Sequence, residues 1–176
     1  MTLVKKLLAI LILLPLAAAA QVKYVVTTKI ADWAQMDVPV QLQEMSQAKW
    51  VIKYHDTRRP VLVFTDNDAE VNLMADTTRQ PASESQLEEY KKFRMDNLKK
   101  TRTDIEFLQD GATMVNGKKI AWFKFMSQAT DTKIFNYYFF TIAKGKILFF
   151  TFNCIEALKA VWEKRADDIV ASVKTN

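Results

Sequence analysis

Side chains that could act as nucleophiles or transition-metal ligands are scarce in this sequence. It contains one histidine, His55, and one cysteine, Cys154. A histidine-based metal site needs further ligands, and the surrounding segment HDTRRP offers only Asp56. A Cys–His catalytic pair would have to join distant parts of the chain, and the apolar residues around Cys154 disfavour the thiolate form. The sequence therefore predicts no catalytic residue, no metal site and no cofactor.

Acidic residues alternate in the segment TDNDAEV, where Asp66, Asp68 and Glu70 resemble part of a calcium-binding loop. An EF-hand loop also needs a central glycine and a bidentate carboxylate at its twelfth position, which here is Thr77. Because Asp and Asn are common turn formers, we interpret the segment as a hairpin turn. Two pairs of adjacent acidic residues lie in predicted helices. The two side chains within each pair point about 100° apart, so we interpret both pairs as solvated surface. These pairs are Glu88–Glu89 and Asp167–Asp168.

The one compact cationic feature is the loop from His55 to Pro60, where Arg58 and Arg59 are adjacent. Guanidinium groups bind carboxylates and phosphates in a bidentate manner, and a histidine gains charge as the pH falls toward about 6. We therefore predict that partner contacts involve His55, Arg58 and Arg59. The expected partner is an envelope protein or an anionic envelope component. Ordinary solvated surface is the alternative interpretation of this loop.

Nucleic-acid binding is disfavoured by both charge and pattern. The formal charge is +5, and it falls to +3 without Lys5 and Lys6, which is too weak a bias to indicate a phosphate-binding surface. The aromatic run NYYFF could suggest a base-stacking platform, but no basic residues are interleaved with it. Its apolar character on both faces indicates core instead.

The N-terminus has the three parts of a secretory signal peptide. Lys5 and Lys6 form a positive region, Leu7 to Leu14 is apolar, and Ala18-Ala19-Ala20 gives a small-residue cleavage pattern. The apolar run is shorter than the roughly 20 residues needed to span a bilayer. We predict a signal peptide at residues 1–20 and a mature domain at residues 21–176 with no transmembrane segment. The mature protein would be periplasmic or extracellular.

Intact-mass measurement of the exported protein should therefore find Gln21 at the N-terminus. The expected cause is cleavage after Ala20, at the end of the small-residue pattern. Retention of residues 1–20 in the mature protein would contradict this prediction.

The length and cysteine content fit one domain without internal disulfides. The 156 residues from Gln21 to Asn176 can bury a sizeable core. With Cys154 as the only cysteine, no intrachain disulfide can form. We expect a buried, inert thiol, and an intermolecular disulfide is the alternative.

The first half of the chain predicts short strands and polar links. Pro39 disfavours a helix in ADWAQMDVP, so this segment is predicted to be an irregular link, and so is the polar stretch from Thr77 to Ser85. The predicted strands are Val22 to Ile30, Val40 to Met45, Trp50 to Tyr54, Val61 to Thr65 and Ala69 to Ala75.

A long helix and a hairpin follow. Ser85 and Glu88 form a capping-box pattern for a helix from Gln86 to about Lys100, with an apolar face that includes Phe93. Strands are then predicted at Ile105 to Gln109 and Ala112 to Val115, separated by an Asp110-Gly111 turn, before an Asn116-Gly117 hairpin turn. Since all three glycines fall in predicted turns, no glycine-rich phosphate loop is expected. These are Gly111, Gly117 and Gly145.

The rest of the chain is organised around the stretch from Lys118 to Lys174. Its strands are apolar on both faces and need cover on both sides. They are followed by an amphipathic helix, with Asn153 as the predicted N-cap and Trp162 on its apolar stripe. Tight turns imply antiparallel pairing. The sequence therefore predicts an α+β fold, an antiparallel meander with a helix on each face.

This order of elements resembles the PsbP-like superfamily. That group includes the photosystem II extrinsic protein PsbP, a Ran-binding yeast factor and bacterial envelope proteins of the DcrB type. The resemblance covers most of the chain after about residue 50. It is carried by PVLVFTDNDAEVNLMAD, SQLEEYKKFRMDNLKK, VNGKKIAWFKF and GKILFFTFNCIEALKAVWEKRADDIVASVK.

The resemblance implies an antiparallel sheet between helical layers and no catalytic motif, because members of the superfamily differ in function and many act by binding. We therefore predict an exported, non-enzymatic binding or assembly protein of the bacterial envelope. The alternative is a small-ligand carrier or a hydrolase whose site is not visible in the sequence. An enclosed pocket with convergent polar groups would favour the alternative.

Overall fold

The computed structural model describes residues 25–176. The predicted signal peptide, its cleavage site and the start of the first predicted strand lie outside the described residues. Within residues 25–176, no helix is both long and apolar enough to cross a bilayer.

Ten strands and three α-helices make up the described chain. The strands are β1 Val25–Ile30, β2 Ala34–Pro39, β3 Gln43–Glu44, β4 Leu62–Thr65, β5 Val71–Pro81, β6 Glu106–Val115, β7 Lys118–Gln128, β8 Lys133–Ala143, β9 Lys146–Ile155 and β10 Lys174–Thr175. The helices are α1 Gln47–Tyr54, α2 Leu87–Thr101 and α3 Lys159–Ser172. Short 3₁₀ turns precede α2 and α3.

The strands form two antiparallel sheets. The larger has seven strands in the order β3-β4-β5-β9-β8-β7-β6, and its last four strands in sequence form the predicted meander. The smaller has the order β1-β2-β10, so it joins the first and last strands of the described chain. Asn176 extends this junction, because its backbone N–H donates to Trp33 O at 2.9 Å and its side chain donates to Asp32 O at 2.8 Å.

One face of the large sheet packs against α3 and the small sheet. The rings of Phe139 and Phe150 stack with centroids 4.5 Å apart, and Phe152 stacks on Trp162 of α3 at 6.2 Å. Met36 and Val38 of the small sheet are buried in the same cluster. The apolar alternation of β8 and β9 therefore explains this half of the core.

The opposite face carries α1 and α2. Leu87 of α2 is buried against Phe123 and Phe140, and Tyr90 meets Phe140 edge to face at 5.1 Å. A smaller cluster joins α1 to β4 and β5 through Trp50. The prediction of an α+β fold with helices on both faces of an antiparallel sheet is confirmed.

Two predictions for the N-terminal part are wrong. The segment predicted as an irregular link contains β2, because Pro39 is the last residue of that strand and does not interrupt it. The predicted strand from Trp50 to Tyr54 lies in α1, which begins where the Ser46 hydroxyl accepts a hydrogen bond from Lys49 N at 3.2 Å. Its apolar residues fit the i,i+4 spacing of a helix equally well, and the rings of Trp50 and Tyr54 lie 4.2 Å apart.

The predicted link from Thr77 to Ser85 is also corrected. β5 continues to Pro81 and pairs with β9, with a register shift between Thr77 and Pro81. The capping box is formed by Ser83 and Gln86 rather than by Ser85 and Glu88, because a 3₁₀ turn precedes α2. The bounds of α2 agree with the prediction within one residue, but Phe93 points outward and is 55% exposed.

The predicted turn at Asp110-Gly111 is wrong, since both residues lie inside the continuous strand β6. Gly111 faces Trp122 across the strand pair, and a Cβ at Gly111 would lie 3.0 Å from the indole ring. The glycine therefore gives room for a large neighbour. The hairpin turn at Asn116-Gly117 is confirmed, with φ of 49° and 79°.

The start of the last helix also differs from the prediction. Asn153 lies within β9, which runs to Ile155, and a 3₁₀ turn then leads into α3. Asn153 accepts a hydrogen bond from Asn72 Nδ2 at 3.0 Å across the sheet, so its amide serves strand pairing rather than a helix cap.

Candidate functional site

The loop from His55 to Pro60 connects α1 to β4 and does not connect two strands as predicted. His55 ends α1 in the left-handed conformation, with φ of 52°, and its N–H donates to Val51 O at 2.9 Å. His55 and Arg58 are exposed, and Arg58 N donates to the Asp56 carboxylate at 2.8 Å. Two of the three predicted partner-binding residues are therefore accessible to a ligand.

Arg59, unlike Arg58, is bound within the fold through its side chain. Its Nη2 donates to Met45 O at 2.7 Å and to Glu44 Oε1 at 3.1 Å, and its side chain is only 19% exposed. These bonds hold the loop against β3. Adjacent arginines in the sequence therefore do not form one cationic pair in space.

A second accessible feature is the edge strand β6. It pairs with β7 on one side and is the last strand of the large sheet on the other. Met114 is 65% exposed, and Leu108 also lies at the surface. A register shift between Phe107 and Gln109 makes Leu108 the extra residue of a bulge, after which Gln109–Val115 pairs regularly with β7.

Sequence reasoning missed this edge because it divided the strand at Asp110-Gly111. The signal that could have found it was the long segment EFLQDGATMV ending at an Asn-Gly turn. A hairpin turn at Asn116-Gly117 favours a continuous strand before it that can pair with the long apolar strand after it, and β7 has 11 residues.

An unpredicted cluster of charges lies between the sheet and α3. Lys124 of β7 is 5% exposed, and its Nζ contacts Asp167 Oδ1 at 2.9 Å and Glu163 Oε1 at 3.2 Å. Glu163 also pairs with Lys159 at 2.9 Å. The ammonium group lies 4.7 Å from the ring centre of Tyr137. Burial, and secondarily the nearby Asp167 carboxylate, raise the pKa of Tyr137.

This buried ion cluster is suited to fixing the position of α3 on the sheet. Every charge in it has an oppositely charged partner, and α3 supplies both carboxylates that bind Lys124. Such a buried pair costs desolvation energy but penalises any other docking of the helix. The sequence signal was a single lysine within the apolar run IAWFKFM.

Cys154 lies in the core, as predicted. It is fully buried in the α3 side of the sheet, and burial raises the pKa of its thiol to about 12. The thiol is therefore protonated at neutral pH and unsuited to nucleophilic attack. Its burial also argues against the intermolecular disulfide considered above.

A thiol-specific reagent should label native Cys154 far more slowly than unfolded Cys154. The physical reason is the combination of complete burial and the raised pKa of the thiol. Labelling kinetics at pH 7, with and without denaturant, would measure this. A Lys164→Cys variant provides an accessible control, and equally rapid labelling at both positions would contradict the assignment.

The acidic turn after β4 is structural, as interpreted from sequence. Asp66 Oδ1 accepts backbone hydrogen bonds from Glu70 at 2.8 Å and Val71 at 3.1 Å. Across residues 25–176, no three His, Cys, Asp or Glu side chains are grouped in a way that could hold a metal ion.

The arrangement of sheet and helices defines the class of fold, which is PsbP-like. The solution structure of cyanobacterial PsbP (CyanoP) from Synechocystis sp. PCC 6803 matches with a TM-score of 0.63, covering 92% of this chain and 99% of that chain at 15% identity. LpqN, involved in cell envelope biogenesis of Mycobacterium tuberculosis, matches with a TM-score of 0.58, covering 81% and 83% at 10% identity.

A third similar structure, from Bacteroides thetaiotaomicron, has a TM-score of 0.53 at 14% identity. That match covers 82% of this chain and only 45% of the other. No protein family matches the sequence, and no curated protein does. The resemblance stated from sequence is thus confirmed as a shared fold.

Proposed function

We propose that this chain is an exported, non-enzymatic binding or assembly protein of the bacterial envelope. The fold it shares with CyanoP and the envelope protein LpqN supports this class. Two buried titratable residues, Lys124 and Cys154, also favour a binding role. Lys124 is ion-paired with carboxylates of α3, and Cys154 has a protonated thiol in the core, so neither is arranged as a catalytic group.

The observation that carries the proposal is the outer edge of β6, which pairs with no other strand of residues 25–176. An edge strand presents backbone N–H and C=O groups that can pair with an added strand. The regular segment Gln109–Val115 is long enough for several such bonds, and the exposed Met114 adds apolar contact area. We therefore propose that an extended segment of a partner protein adds to the large sheet beside β6.

The loop from His55 to Pro60 is a second candidate surface. His55 and Arg58 are exposed, and Arg58 forms no ion pair within residues 25–176. An anionic envelope component would suit this end of α1. Arg59 is better assigned to stabilising the loop, so charge reversal there should lower stability as well as any binding.

Photo-crosslinking in the native organism would test the proposal. A crosslinking residue at Thr113, exposed on β6, should yield a defined adduct with an envelope protein. Met114→Lys should reduce that adduct strongly, because the added charge and the lost apolar contact disfavour strand addition.

Val161→Lys is the matched control, since Val161 is a 53% exposed apolar residue in the first turn of α3 rather than on the β6 edge. It should leave the adduct unchanged. If a crosslinking residue at Thr113 yields no defined adduct while one at Arg58 does, the contact lies at the loop. If neither position yields a defined adduct, both surfaces are wrong.

A further inference from the structure

The sheet face that carries α1 and α2 has a partly uncovered strip between the two helices. α1 packs over β4 and β5, while α2 packs over β7 and part of β8. Between them lie four partly exposed residues, which we call the open strip: Tyr138, Phe149, Thr151 and Asn153. Tyr138 and Thr151 are direct neighbours across the β8–β9 pair.

Arg94 of α2 overhangs this strip within a group of aromatic rings. Its guanidinium carbon lies 5.7 Å from the ring centres of both Tyr138 and Phe149 and 5.9 Å from that of Tyr90. Nη1 donates to the Tyr90 hydroxyl at 3.1 Å. Three rings and this bond restrict the side chain, so its planar fork is held in place before any ligand arrives.

Most of the hydrogen-bonding capacity of Arg94 is unused by residues 25–176. A guanidinium has five N–H donors, and only the bond to Tyr90 is present. By contrast, Arg59 pairs with Glu44 and Arg102 pairs with Asp104 at 2.5 Å. Arg94 is half-buried and forms no ion pair within the described chain.

Neutral hydroxyl groups lie on the same face of the sheet. Tyr54 of α1 packs in the cluster that Met74 of β5 also joins, and Met74 is the strand neighbour of Thr151. Burial raises the pKa of the Tyr54 phenol to about 12. Burial also raises the pKa of Tyr138. The hydroxyls of Tyr54, Tyr138 and Thr151 have no hydrogen-bond partner within residues 25–176 and are available to a ligand.

The carboxylate nearest to the strip by strand register is Asp76, which pairs with Phe149. Its Oδ1 accepts a hydrogen bond from Thr77 N at 2.8 Å, and it forms no ion pair with Arg94. The guanidinium is therefore not neutralised from this side. An anion entering the strip would meet the guanidinium of Arg94 and several hydroxyl donors.

We propose that the open strip binds an oxyanion group, either a carboxylate or a phosphate, through the guanidinium of Arg94 with help from the hydroxyls of Tyr138 and Tyr54. The aromatic rings lower the local exposure to water and strengthen the ionic hydrogen bonds. The group can be a free small anion or the headgroup of an anionic lipid. This site lies on a face of the sheet and is separate from the β6 edge.

Titration of ¹⁵N-labelled protein with inorganic phosphate, followed through the Nε–Hε resonance of Arg94, tests the proposal. A saturable shift of this resonance, accompanied by shifts at Tyr138 and Thr151, is expected. Arg94→Lys keeps the charge but loses the planar fork, and it should weaken binding about tenfold or more. A parallel titration with acetate tests whether the site also binds a carboxylate ligand.

Arg79→Lys is the matched control, because Arg79 is an exposed arginine on β5 without an ion pair in the described chain. It should leave the affinity unchanged. Co-sedimentation with phosphatidylglycerol vesicles, compared with phosphatidylcholine vesicles, distinguishes a lipid headgroup from a free anion. Binding to the anionic vesicles should then depend on Arg94.

A purely structural role for Arg94 predicts a different pattern. Arg94→Lys would then change the melting temperature, while the wild-type Arg94 resonance would show no saturable shift with phosphate, acetate or vesicles. That result would overturn the proposal without relying on any variant. Equal weakening by Arg79→Lys and Arg94→Lys would also overturn it, since the loss of a guanidinium outside the open strip would then matter as much as the loss of Arg94.

Discussion

Replacing Lys124 with alanine should lower the free energy of unfolding by about 3 kcal/mol, because removing one partner of a buried ion pair typically costs 3–5 kcal/mol. The lower end is expected since the side chains of Glu163 and Asp167 are partly exposed and can regain water. Denaturant unfolding of the wild type and the variant would measure the difference.

Lys124→Met supplies the control for this prediction. Methionine keeps the apolar stem of the lysine and fills most of the volume, so it should cost less than alanine. Combining Lys124→Met with Glu163→Gln and Asp167→Asn should recover further stability. If alanine and methionine cost the same small amount, the charge cluster does not hold α3.

The cluster should also make stability depend on pH. Burial raises the pKa of Glu163, but the hydrogen bonds from Lys159 and Lys124 outweigh burial and leave this pKa below its ordinary value. A lowered folded-state pKa gives stability that is complete above the ordinary glutamate pKa and is lost as the pH falls through the folded value. The stability gap between wild type and Lys124→Met should therefore narrow in acid.

Trp162→Ala should cost about 3–5 kcal/mol, the range expected for deleting a large aromatic side chain from a core. Trp162 is 6% exposed and stacks on Phe152 of β9. Its removal would leave a cavity between α3 and the sheet that helix packing cannot readily fill. Thermal and denaturant unfolding would both report the loss.

Lys164→Ala is the control on the same helix. The Lys164 side chain is 82% exposed and its ion pair with Asp168 is long, at 3.7 Å, so the change should be below about 0.5 kcal/mol. Similar effects from the two variants would mean that α3 does not bury the face assigned to it.

Strong patterns in the sequence were enough to predict the central strands and the two long helices. β7, β8 and β9 are apolar on both faces over about ten residues, and α3 has an apolar stripe, so each pattern fits one structure. The segment from Trp50 to Tyr54 is too short for its apolar pattern to distinguish a helix from a strand. Its apolar residues satisfy the spacing of a strand and that of a helix, and packing on β4 and β5 decided for the helix.

The roles of several individual residues were harder to predict because they depend on residues distant in sequence. Lys124 is buried by carboxylates 39 and 43 residues further along the chain. Gly111 has the composition of a turn, yet its role is to make room for Trp122 on the next strand. The Arg58–Arg59 pair showed the reverse error, since neighbours in sequence were separated in space by the bonds of Arg59 to β3.

The small sheet has a consequence for the order of folding. β2 pairs with β10, and Asp32 is hydrogen-bonded to Asn176, which is 144 residues later in the chain. Such long-range pairing slows folding, and β1 and β2 cannot complete the small sheet until residues 174–176 have been synthesised. The small sheet therefore forms only when nearly all of the described domain is available to pack beneath it.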